Sequence, residues 1–210
     1  MAIRKKDFVE LDFTGKVKET GQIFDTTLKE DAKKIGAENV KPLKVCVGEG
    51  MLVSGFDEAL EGKEIGKKYS IEIEPKKAFG PRDPKLIKIV PISVFHEKEV
   101  NPYPGLVLNI DGILARISSV SGGRVTTDFN LPLAGKTIIY EFEVKKIIND
   151  QKEKLESLAD FFFGKADVNI EETKATITLE RKIENKAFKE KVKELLNLET
   201  EFRVKDKNKI

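Results

Sequence analysis

Few side chains in this sequence could carry acid–base, nucleophilic or metal chemistry. Its 210 residues include one histidine, His96, and one cysteine, Cys46. A metal cluster of histidines and cysteines is therefore excluded, and a Ser-His-Asp or Cys-His catalytic site is disfavoured. His96 stands beside Phe95 at an apparent loop, which indicates a solvated or packing residue. The carboxylates of "SIEIE" and "EFEVKK" alternate with apolar residues, which is typical of the polar face of a strand rather than an acid–base pair.

Apolar residues in a glycine-punctuated stretch, "VGEGMLVSGFDEALEG" at residues 47–62, are more informative. Glycines there mark sharp turns, where polar residues are expected. Apolar side chains in such a place either plug the core or line a pocket for an apolar ligand. A pocket of this kind suits a reaction that needs neither proton transfer nor a covalent intermediate. The residues concerned are Met51, Leu52, Val53 and Phe56.

Two glycine motifs imitate nucleotide-binding loops but do not fit them. "LPLAGKTII" has Asn130 where a phosphate loop needs its first glycine, and a strand follows where a helix should begin. "GEG" at residues 48–50 has no third glycine and opens no helix of the required length. Neither motif predicts a cofactor, and we expect none.

Composition indicates a folded protein without a special affinity for polyanions or membranes. Hydrophobic residues make up 40% and charged residues 35%, and 38 basic side chains balance 36 acidic ones. No nucleic-acid partner is expected from interspersed charges with a net value of +2. The start of the chain has no long apolar region, and no window reaches the length of a membrane span, so we expect a cytoplasmic protein. Many Lys and Glu, few Gln and no Trp favour a thermophile.

Periodicity predicts an α+β architecture. In the first 75 residues, alternating apolar residues predict four strands, and a short helix follows Ser54 as its possible N-cap, with Gly62 just past its end. Residues 86–133 carry short β-like runs separated by turns, and a long alternating strand follows at 138–144. The economical interpretation is a small β unit inserted into a discontinuous first domain.

The last 60 residues predict helix, strand pair, helix and strand. A unit of this size is marginal alone and favours docking or dimerisation. Two apolar groups there are either core or a dimer seam. These groups are Phe161, Phe162 and Phe163, and the helical face of Phe188, Val192 and Leu195.

Four segments, in order, resemble the signature of FKBP-type peptidyl-prolyl cis-trans isomerases: "GQIFDTT", "VGEGMLVSGFDEALEGKEIGKK", "AFG" and "LAGKTIIYEFEV". The block from Val47 to Lys67 is the most specific. A β-rich insertion before "LAGKT" is similar to the SlyD-like subgroup, whose flap loop carries an insert-in-flap chaperone domain. The additional tail is similar to the long archaeal form by position and length only. The resemblance covers residues 3–148.

The resemblance implies a fold and a division into domains. The fold would be a twisted antiparallel sheet around a short helix, with an inserted small β domain and a C-terminal α+β domain. The isomerase domain would take residues 1–86 and 134–150, and the insert-in-flap domain residues 87–133. The C-terminal domain would take residues 151–210, with a homodimer through it as one expectation.

The resemblance also implies a pocket for proline. Asp25 is the one ionisable candidate, and it would orient neighbouring aromatic rings or face the twisting carbonyl. The alternative is a strand-end carboxylate that accepts from a nearby backbone amide. Phe56 stands where many members have a tryptophan floor, and Phe79 stands at the usual tyrosine of "AYG". The catalytic group would be Phe24, Asp25, Phe79 and Tyr140, and the substrate-binding group Phe13, Val45, Leu52, Val53 and Phe56, with Met51 as adjacent rim or filler.

The implied reaction is rotation about X-Pro bonds in unfolded or folding chains, without a cofactor or metal. The metal-binding tail of SlyD has no counterpart in this sequence. A non-catalytic holdase that binds unfolded chains through the insert is the alternative, and an assembly module with a partner for the tail is a third hypothesis. Nine apolar residues of the insert divide between its own core and a client surface: Val94, Phe95, Val100, Tyr103, Leu106, Leu108, Ile113, Leu114 and Ile117.

Overall fold

A computed structural model describes residues 2–110, 112–181 and 183–205 of the chain. The chain divides into two compact units, one of residues 1–73 with 138–210 and one of residues 74–137. The helices are α1 (Lys29–Ile35), α2 (Ser54–Leu60), α3 (Ile92–His96), α4 (Gln151–Phe163) and α5 (Lys186–Leu196), with 3₁₀ turns at Pro75–Lys77 and Pro84–Leu86. The strands are β1 (Phe8–Val17), β2 (Ile23–Thr26), β3 (Leu43–Cys46), β4 (Lys68–Ile73), β5 (Ile87–Pro91), β6 (Val107–Ile110), β7 (Ile113–Ser121), β8 (Arg124–Asp128), β9 (Ile138–Ile147), β10 (Asp167–Glu171), β11 (Lys174–Leu179) and β12 (Glu199–Val204).

The first unit is built on a five-stranded antiparallel sheet of order β2-β1-β9-β4, in which β3 also pairs with β1. The two ten-residue strands β1 and β9 form its centre, and Phe13 lies opposite Phe142 in their register. Alternation along β1 buries Val9, Leu11 and Phe13 on the face toward α2. This confirms the predicted antiparallel sheet around a short helix.

The start of α2 differs from the prediction in one detail. Ser54 is the first helical residue rather than the N-cap, and Val53 occupies the cap position without a side-chain hydrogen bond. The Val53 carbonyl accepts from the N–H groups of Phe56 and Asp57 at 2.9 and 3.0 Å. The backbone of Val53 therefore begins the helix, one residue earlier than the predicted cap.

Two short helices were not predicted from the sequence. Helix α1 has seven residues and ends at Gly36, whose φ of 67° suits a left-handed C-cap. Helix α3 has five residues and contains Phe95 and His96, so the predicted loop at His96 is wrong. Neither segment is long enough to show a helical repeat in its apolar residues.

The second unit is a four-stranded antiparallel sheet of order β5-β8-β7-β6, covered by α3. Phe95, Ile117 and Val125 form its buried core. The nine apolar residues considered above separate accordingly. Phe95 and Ile117 are buried, and Val100, Leu106 and Leu108 pack against them, whereas Val94, Tyr103, Ile113 and Leu114 are exposed.

The C-terminal segment packs on the first sheet instead of standing apart. Its three-stranded sheet has the order β10-β11-β12, with β11 and β12 parallel. Asp150 and Asn185 cap α4 and α5 by accepting from backbone N–H groups at 2.8 and 2.9 Å. One apolar core joins this segment to the first sheet. Its buried members are Phe8, Cys46 and Ile148 from the first sheet and its flank, and Leu155, Leu158, Ala159, Ala175, Ile177, Leu179, Phe188, Val192, Leu196 and Leu198 from the segment.

The apolar groups predicted as core or seam fall mostly in this core. Phe188 and Val192 are fully buried, and Phe162, Phe163 and Leu195 pack against the cluster. Phe161 differs, since it is 49% exposed. Within the described ranges no helix combines the length and the apolar character needed to cross a membrane.

Replacing Leu158 by alanine tests whether the shared core stabilises the fold. Leu158 is 1% exposed, so the Leu158→Ala variant leaves a cavity and should lose ~2–5 kcal/mol in the free energy of unfolding. The exposed Phe161 lies on the same helix, and Phe161→Ala should change that free energy by about 0.5 kcal/mol or less. Urea unfolding of both variants measures the difference, and equal losses would contradict the assignment of the core.

Candidate functional site

Three buried aromatic rings meet between α2 and the central strands. Phe56 of α2 stacks on Tyr140 of β9, with ring centroids 4.4 Å apart and an angle of 18° between the planes. Phe13 of β1 contacts both, at 6.0 Å from Phe56 and 5.8 Å from Tyr140. The three residues are between 1% and 6% exposed. A wall and a floor of aromatic surface are thus fixed by the sheet and the helix together.

Phe24 extends this group toward solvent. Its ring meets Tyr140 edge to face at 5.9 Å and 82°, and the residue is half-buried in the short strand β2. Edge-to-face pairs of this kind are favourable because the positive ring edge meets the negative face of its partner. The structure therefore brings four predicted site residues together: Phe13, Phe24, Phe56 and Tyr140.

Gly15 makes the close approach of Phe24 and Tyr140 possible. A Cβ atom at Gly15 would lie 2.6 Å from Phe24 Cζ and 3.0 Å from Tyr140 Cε1. Gly15 pairs with Tyr140 in the register of β1 and β9 and with Asp25 in that of β1 and β2. Gly15 was not among the residues predicted for the site. An isolated glycine inside a strand pattern is a signal for close packing and could have identified it.

Asp25 is the ionisable group beside the rings. The residue as a whole is exposed, but one side of its carboxylate is shielded from water. This partial burial raises the pKa of Asp25, and a hydrogen bond from the Thr26 backbone N–H lowers it by less. Burial raises the pKa of Tyr140 above its usual range, and the negative charge of Asp25 adds to that effect. The Tyr140 hydroxyl therefore stays protonated at neutral pH, close enough to Asp25 to sense its charge.

Two aromatic residues belong to the cluster but were not predicted for the site. Phe142 lies 5.0 Å from Phe56 and is 4% exposed. Tyr69 of β4 stacks on Phe142 at 5.5 Å, and its hydroxyl accepts from the Glu64 backbone N–H at 3.0 Å. Both residues support the floor from the side of β4. The alternation of the long strand β9 already placed Phe142 on the face of Tyr140.

The remaining predicted residues lie around this cluster with different exposures. Leu52 and Val53 are half-buried in the stretch that leads into α2, so part of each side chain stays accessible. Val45 of β3 is 1% exposed, which is the burial of a core residue. Phe79 is a half-buried residue of the second unit. Contact of these four residues with a substrate stays a prediction.

The stretch before α2 is held by side-chain contacts from two elements. The buried carboxylate of Asp57 accepts from the N–H groups of Gly48 and Gly50 at 2.8 and 3.1 Å. The Cys46 N–H donates to Met51 Sδ at 3.2 Å, and Met51 packs against the core shared with the C-terminal segment. Met51 is therefore a packing residue on the side facing that segment.

Cys46 offers no nucleophile. It is fully buried, and burial raises the pKa of its thiol to about 12. The thiolate, which is the reactive form, is therefore scarce at neutral pH. Among the described residues, the candidate site thus combines apolar and aromatic side chains with the Asp25 carboxylate.

Comparison with known proteins identifies the family. The profile described as FKBP-type peptidyl-prolyl cis-trans isomerase matches residues 1–96, and the one described as FKBP26, IF domain, matches residues 88–133. A short-type peptidyl-prolyl cis-trans isomerase of Methanocaldococcus jannaschii is 34% identical over 149 residues, which cover 69% of this chain and 94% of the relative. The chain belongs to the FKBP-type peptidyl-prolyl cis-trans isomerases.

Bacterial relatives of this FKBP-type isomerase show similar identity. The FKBP-type peptidyl-prolyl cis-trans isomerase SlyD of Aeromonas hydrophila is 31% identical over 149 residues, covering 70% of this chain and 65% of the relative. A probable FKBP-type 16 kDa isomerase of Pseudomonas fluorescens is 33% identical over 109 residues, covering 49% and 71%. The predicted family, insert-in-flap domain, fold class and isomerase function are confirmed.

Adding a methyl group at Gly15 tests the geometry of the aromatic cluster. In Gly15→Ala, the new Cβ would force the Phe24 ring away from Tyr140, because 2.6 Å is well inside van der Waals contact. We expect a loss of about fivefold or more in kcat/KM for a prolyl peptide, equivalent to ~1 kcal/mol of transition-state stabilisation.

The neighbouring Lys16 provides the control. Its side chain pairs with Glu141 at 2.7 Å on the polar face of the same strand, so Lys16→Ala should keep kcat/KM within about twofold. If Gly15→Ala isomerises the peptide as fast as the parent protein while remaining folded, the contact of Phe24 with Tyr140 has no catalytic role.

Proposed function

We propose that this isomerase rotates X-Pro bonds of unfolded and folding protein chains in a pocket formed by Phe13, Phe24, Phe56 and Tyr140, with Asp25 at its side. The observation that carries the proposal is the convergence of these rings, with Phe56 and Tyr140 stacked at 4.4 Å beside a single carboxylate. The rings accept the apolar proline side chain, and the exposed side of Asp25 and the half-buried Phe24 mark the entrance.

The reaction needs no bond to break. An X-Pro peptide bond has partial double-bond character and a rotational barrier of ~18–20 kcal/mol, while its cis and trans forms differ little in energy. The planar amide gains stability from charge separation, which water supports. An apolar pocket that excludes water favours the twisted, less polar transition state, and every ~1.4 kcal/mol of that preference gives a tenfold increase in rate.

Asp25 acts through Tyr140 in this proposal. Burial and, to a smaller extent, the negative charge of Asp25 raise the pKa of Tyr140, which keeps the phenol protonated and able to donate toward the carboxylate. This supports the first predicted role, in which Asp25 orients neighbouring aromatic rings. Its second predicted role, facing the twisting carbonyl, uses the exposed side of the same carboxylate.

We assign the rim of the pocket to Leu52 and Val53 and a substrate-binding part to Val45, while the catalytic role of Phe79 stays a prediction from the family resemblance. Leu52 and Val53 are half-buried, so part of each residue stays accessible to an extended chain. Phe79 lacks the hydroxyl of the tyrosine usual at its position in the family, and the missing hydrogen bond is worth ~1 kcal/mol. We therefore expect slower turnover than in members that have the tyrosine.

A chaperone function through the second unit is the second candidate, and one observation favours it. The hairpin of β6 and β7 exposes three large apolar side chains: Val107 at 56%, Ile113 at 56% and Leu114 at 61%. We call these three residues the apolar hairpin. Strand β6 lies at the edge of its sheet, and edge strands can pair with an extended chain. Clients held there would stay at high local concentration for the isomerase site on the same chain.

The partners of the protein are therefore protein chains with X-Pro bonds. Action in the cytoplasm and dimerisation through the C-terminal segment are retained as proposals from the sequence. Phe161 and Val204, both 49% exposed, are apolar residues of that segment that a second copy would cover.

The isomerase proposal is tested by the proline-limited refolding of an unrelated protein with a substoichiometric amount of enzyme. Asp25→Asn and Phe24→Ala should each lower the catalysed rate by about tenfold or more, because ~1.4 kcal/mol of transition-state stabilisation is lost. If both variants keep the full rate, the site assignment is wrong. Suppressed aggregation without acceleration by the parent protein would leave only the holdase.

Asp25→Asn has a second expected effect, on stability. The folded state raises the pKa of Asp25 above its ordinary value of 3.8, so folded protein binds this proton more tightly than unfolded protein. Stability therefore falls as the pH rises through the folded pKa, and ionised Asp25 is a cost at neutral pH. The asparagine variant should have a higher Tm at pH 7, and its advantage should shrink toward pH 4. An equal advantage at both pH values would contradict desolvation as the cause.

Polar substitution in the apolar hairpin tests the chaperone function. The double variant Ile113→Ser/Leu114→Ser should lose about half or more of the aggregation suppression and of the acceleration of protein refolding, because about 1–2 kcal/mol of apolar contact with the client is removed per side chain. Its rate with a short prolyl peptide should not change. Ile89 of β5, 66% exposed at the opposite edge of the same sheet, is the matched control. An effect of Ile89→Ser as large as that of the double variant would argue against the hairpin as the client surface.

A further inference from the structure

The stretch between β3 and α2 has little backbone constraint of its own. Gly48 and Gly50 have φ values of 81° and 70°, in the region that glycine enters freely, and Glu49 lies between them. This stretch leads directly into Leu52 and Val53, the proposed rim. Its conformation must therefore be fixed by contacts from outside it.

Contacts from three elements fix it, and one of them comes from the C-terminal segment. Asp57 of α2 holds the N–H groups of the two glycines, and the Cys46 N–H of β3 holds the Met51 sulfur. The third contact is an ion pair in which Lys191 Nζ of α5 donates to Glu49 Oε2. Lys191 is 142 positions away from Glu49 along the chain.

This ion pair is shielded on the side of the glutamate. The Glu49 side chain is 8% exposed and that of Lys191 30%, so the carboxylate has given up most of its water. A shielded carboxylate that loses its cationic partner must regain water or move. A displacement of the glycine-flanked stretch that carries Glu49 would give its carboxylate this access to water.

Lys191 is itself held in place by a second pair. Glu194, one turn along α5, lies 3.9 Å from Lys191 and pairs with Lys6 at 2.8 Å. The Lys6 backbone N–H donates to the Val47 carbonyl at 2.8 Å. The alternating charges of Lys6, Glu194, Lys191 and Glu49 thus connect α5 to two points of the stretch, Val47 and Glu49.

We propose that Lys191 is a positioning residue for the isomerase site: through Glu49 it holds the stretch before α2 in the conformation that presents Leu52 and Val53 to the substrate backbone. The inference rests on the proposed role of these two residues as the rim. It gives the C-terminal segment a part in substrate binding, carried out at a distance from the aromatic pocket and without contact with the reacting bond.

The test compares Lys191→Met, Lys191→Arg and Lys193→Met in the full chain, with a short prolyl peptide as substrate. Lys191→Met should raise KM about threefold or more with kcat within about twofold, since the rim contributes equally to ground state and transition state. Lys191→Arg keeps the charge and should restore KM. Lys193 lies on the same helix as Lys191 but pairs with Glu199 of β12 at 2.5 Å. Lys193→Met therefore makes the same chemical change without affecting the stretch before α2 and should leave KM unchanged.

Amide chemical shifts provide a readout that a loss of stability alone would not change. The Gly50 and Leu52 N–H resonances should move in Lys191→Met and return in Lys191→Arg. Glu49→Gln removes the charge from the other side, and its effect on KM should not add to that of Lys191→Met, because both break one interaction. This variant also decides the question if Lys191→Met does not fold.

The outcomes separate this inference from the proposed function. An active parent protein with unchanged KM and unchanged Gly50 and Leu52 shifts in both Lys191→Met and Glu49→Gln would overturn the positioning role alone. Shifts that move while KM stays constant would also overturn it, because the stretch would then have no part in binding. A parent protein without isomerase activity would instead refute the proposed function, and the shifts would still report whether Lys191 holds the stretch.

Discussion

The stacking of Phe56 on Tyr140 is the contact on which the other parts of the site depend. Ring centroids 4.4 Å apart join α2 to the central strand β9, and both rings are nearly inaccessible to water. Phe13 and Phe142 also contact Phe56, at 6.0 and 5.0 Å, so this ring is packed against three others. A rigid aromatic floor is what a reaction driven by desolvation requires, because its effect comes from surface that is already free of water before the substrate arrives.

The Asp25 carboxylate beside this aromatic floor lowers the stability of the folded protein when it is ionised. Burial raises the pKa of Asp25, which means that the folded protein would be more stable with this carboxyl protonated or absent. The hydrogen bond from the Thr26 backbone N–H lowers this pKa but does not offset the effect of burial. Desolvated carboxylates beside aromatic pockets are typical of sites where function, and not stability, has selected the residue.

The sequence predicted the parts of this molecule that follow a regular period. The long strands β1 and β9 and the helices α4 and α5 alternate or repeat clearly, and the residues Phe13 and Tyr140 follow from those patterns together with the family resemblance. Helix α3 has five residues and helix α1 has seven. Both were missed because a helix shorter than two turns shows no repeat in its apolar residues. Gly15 was missed for another reason: a glycine inside a strand pattern indicates close packing, but the partner, Phe24, is set by the register of β1 with β2 and cannot be read from the local sequence.

The C-terminal segment could be predicted as elements but not as a partner of the first sheet, and β3 explains why. Neighbouring residues of a strand point to opposite faces, so Val45 pairs with Val9 on the side of α2 while Cys46 pairs with Phe8 on the side of the segment. All four residues are buried. A strand that is apolar on both faces has the same sequence pattern whether a helix, a second copy of the chain or loops cover its outer face. Once the segment covers the outer face, β3 is packed on both faces, and Lys191 of α5 reaches Glu49 in the stretch that follows this strand. The C-terminal segment and the first sheet therefore share one element of four residues, which makes the segment a structural part of the unit that contains the aromatic cluster.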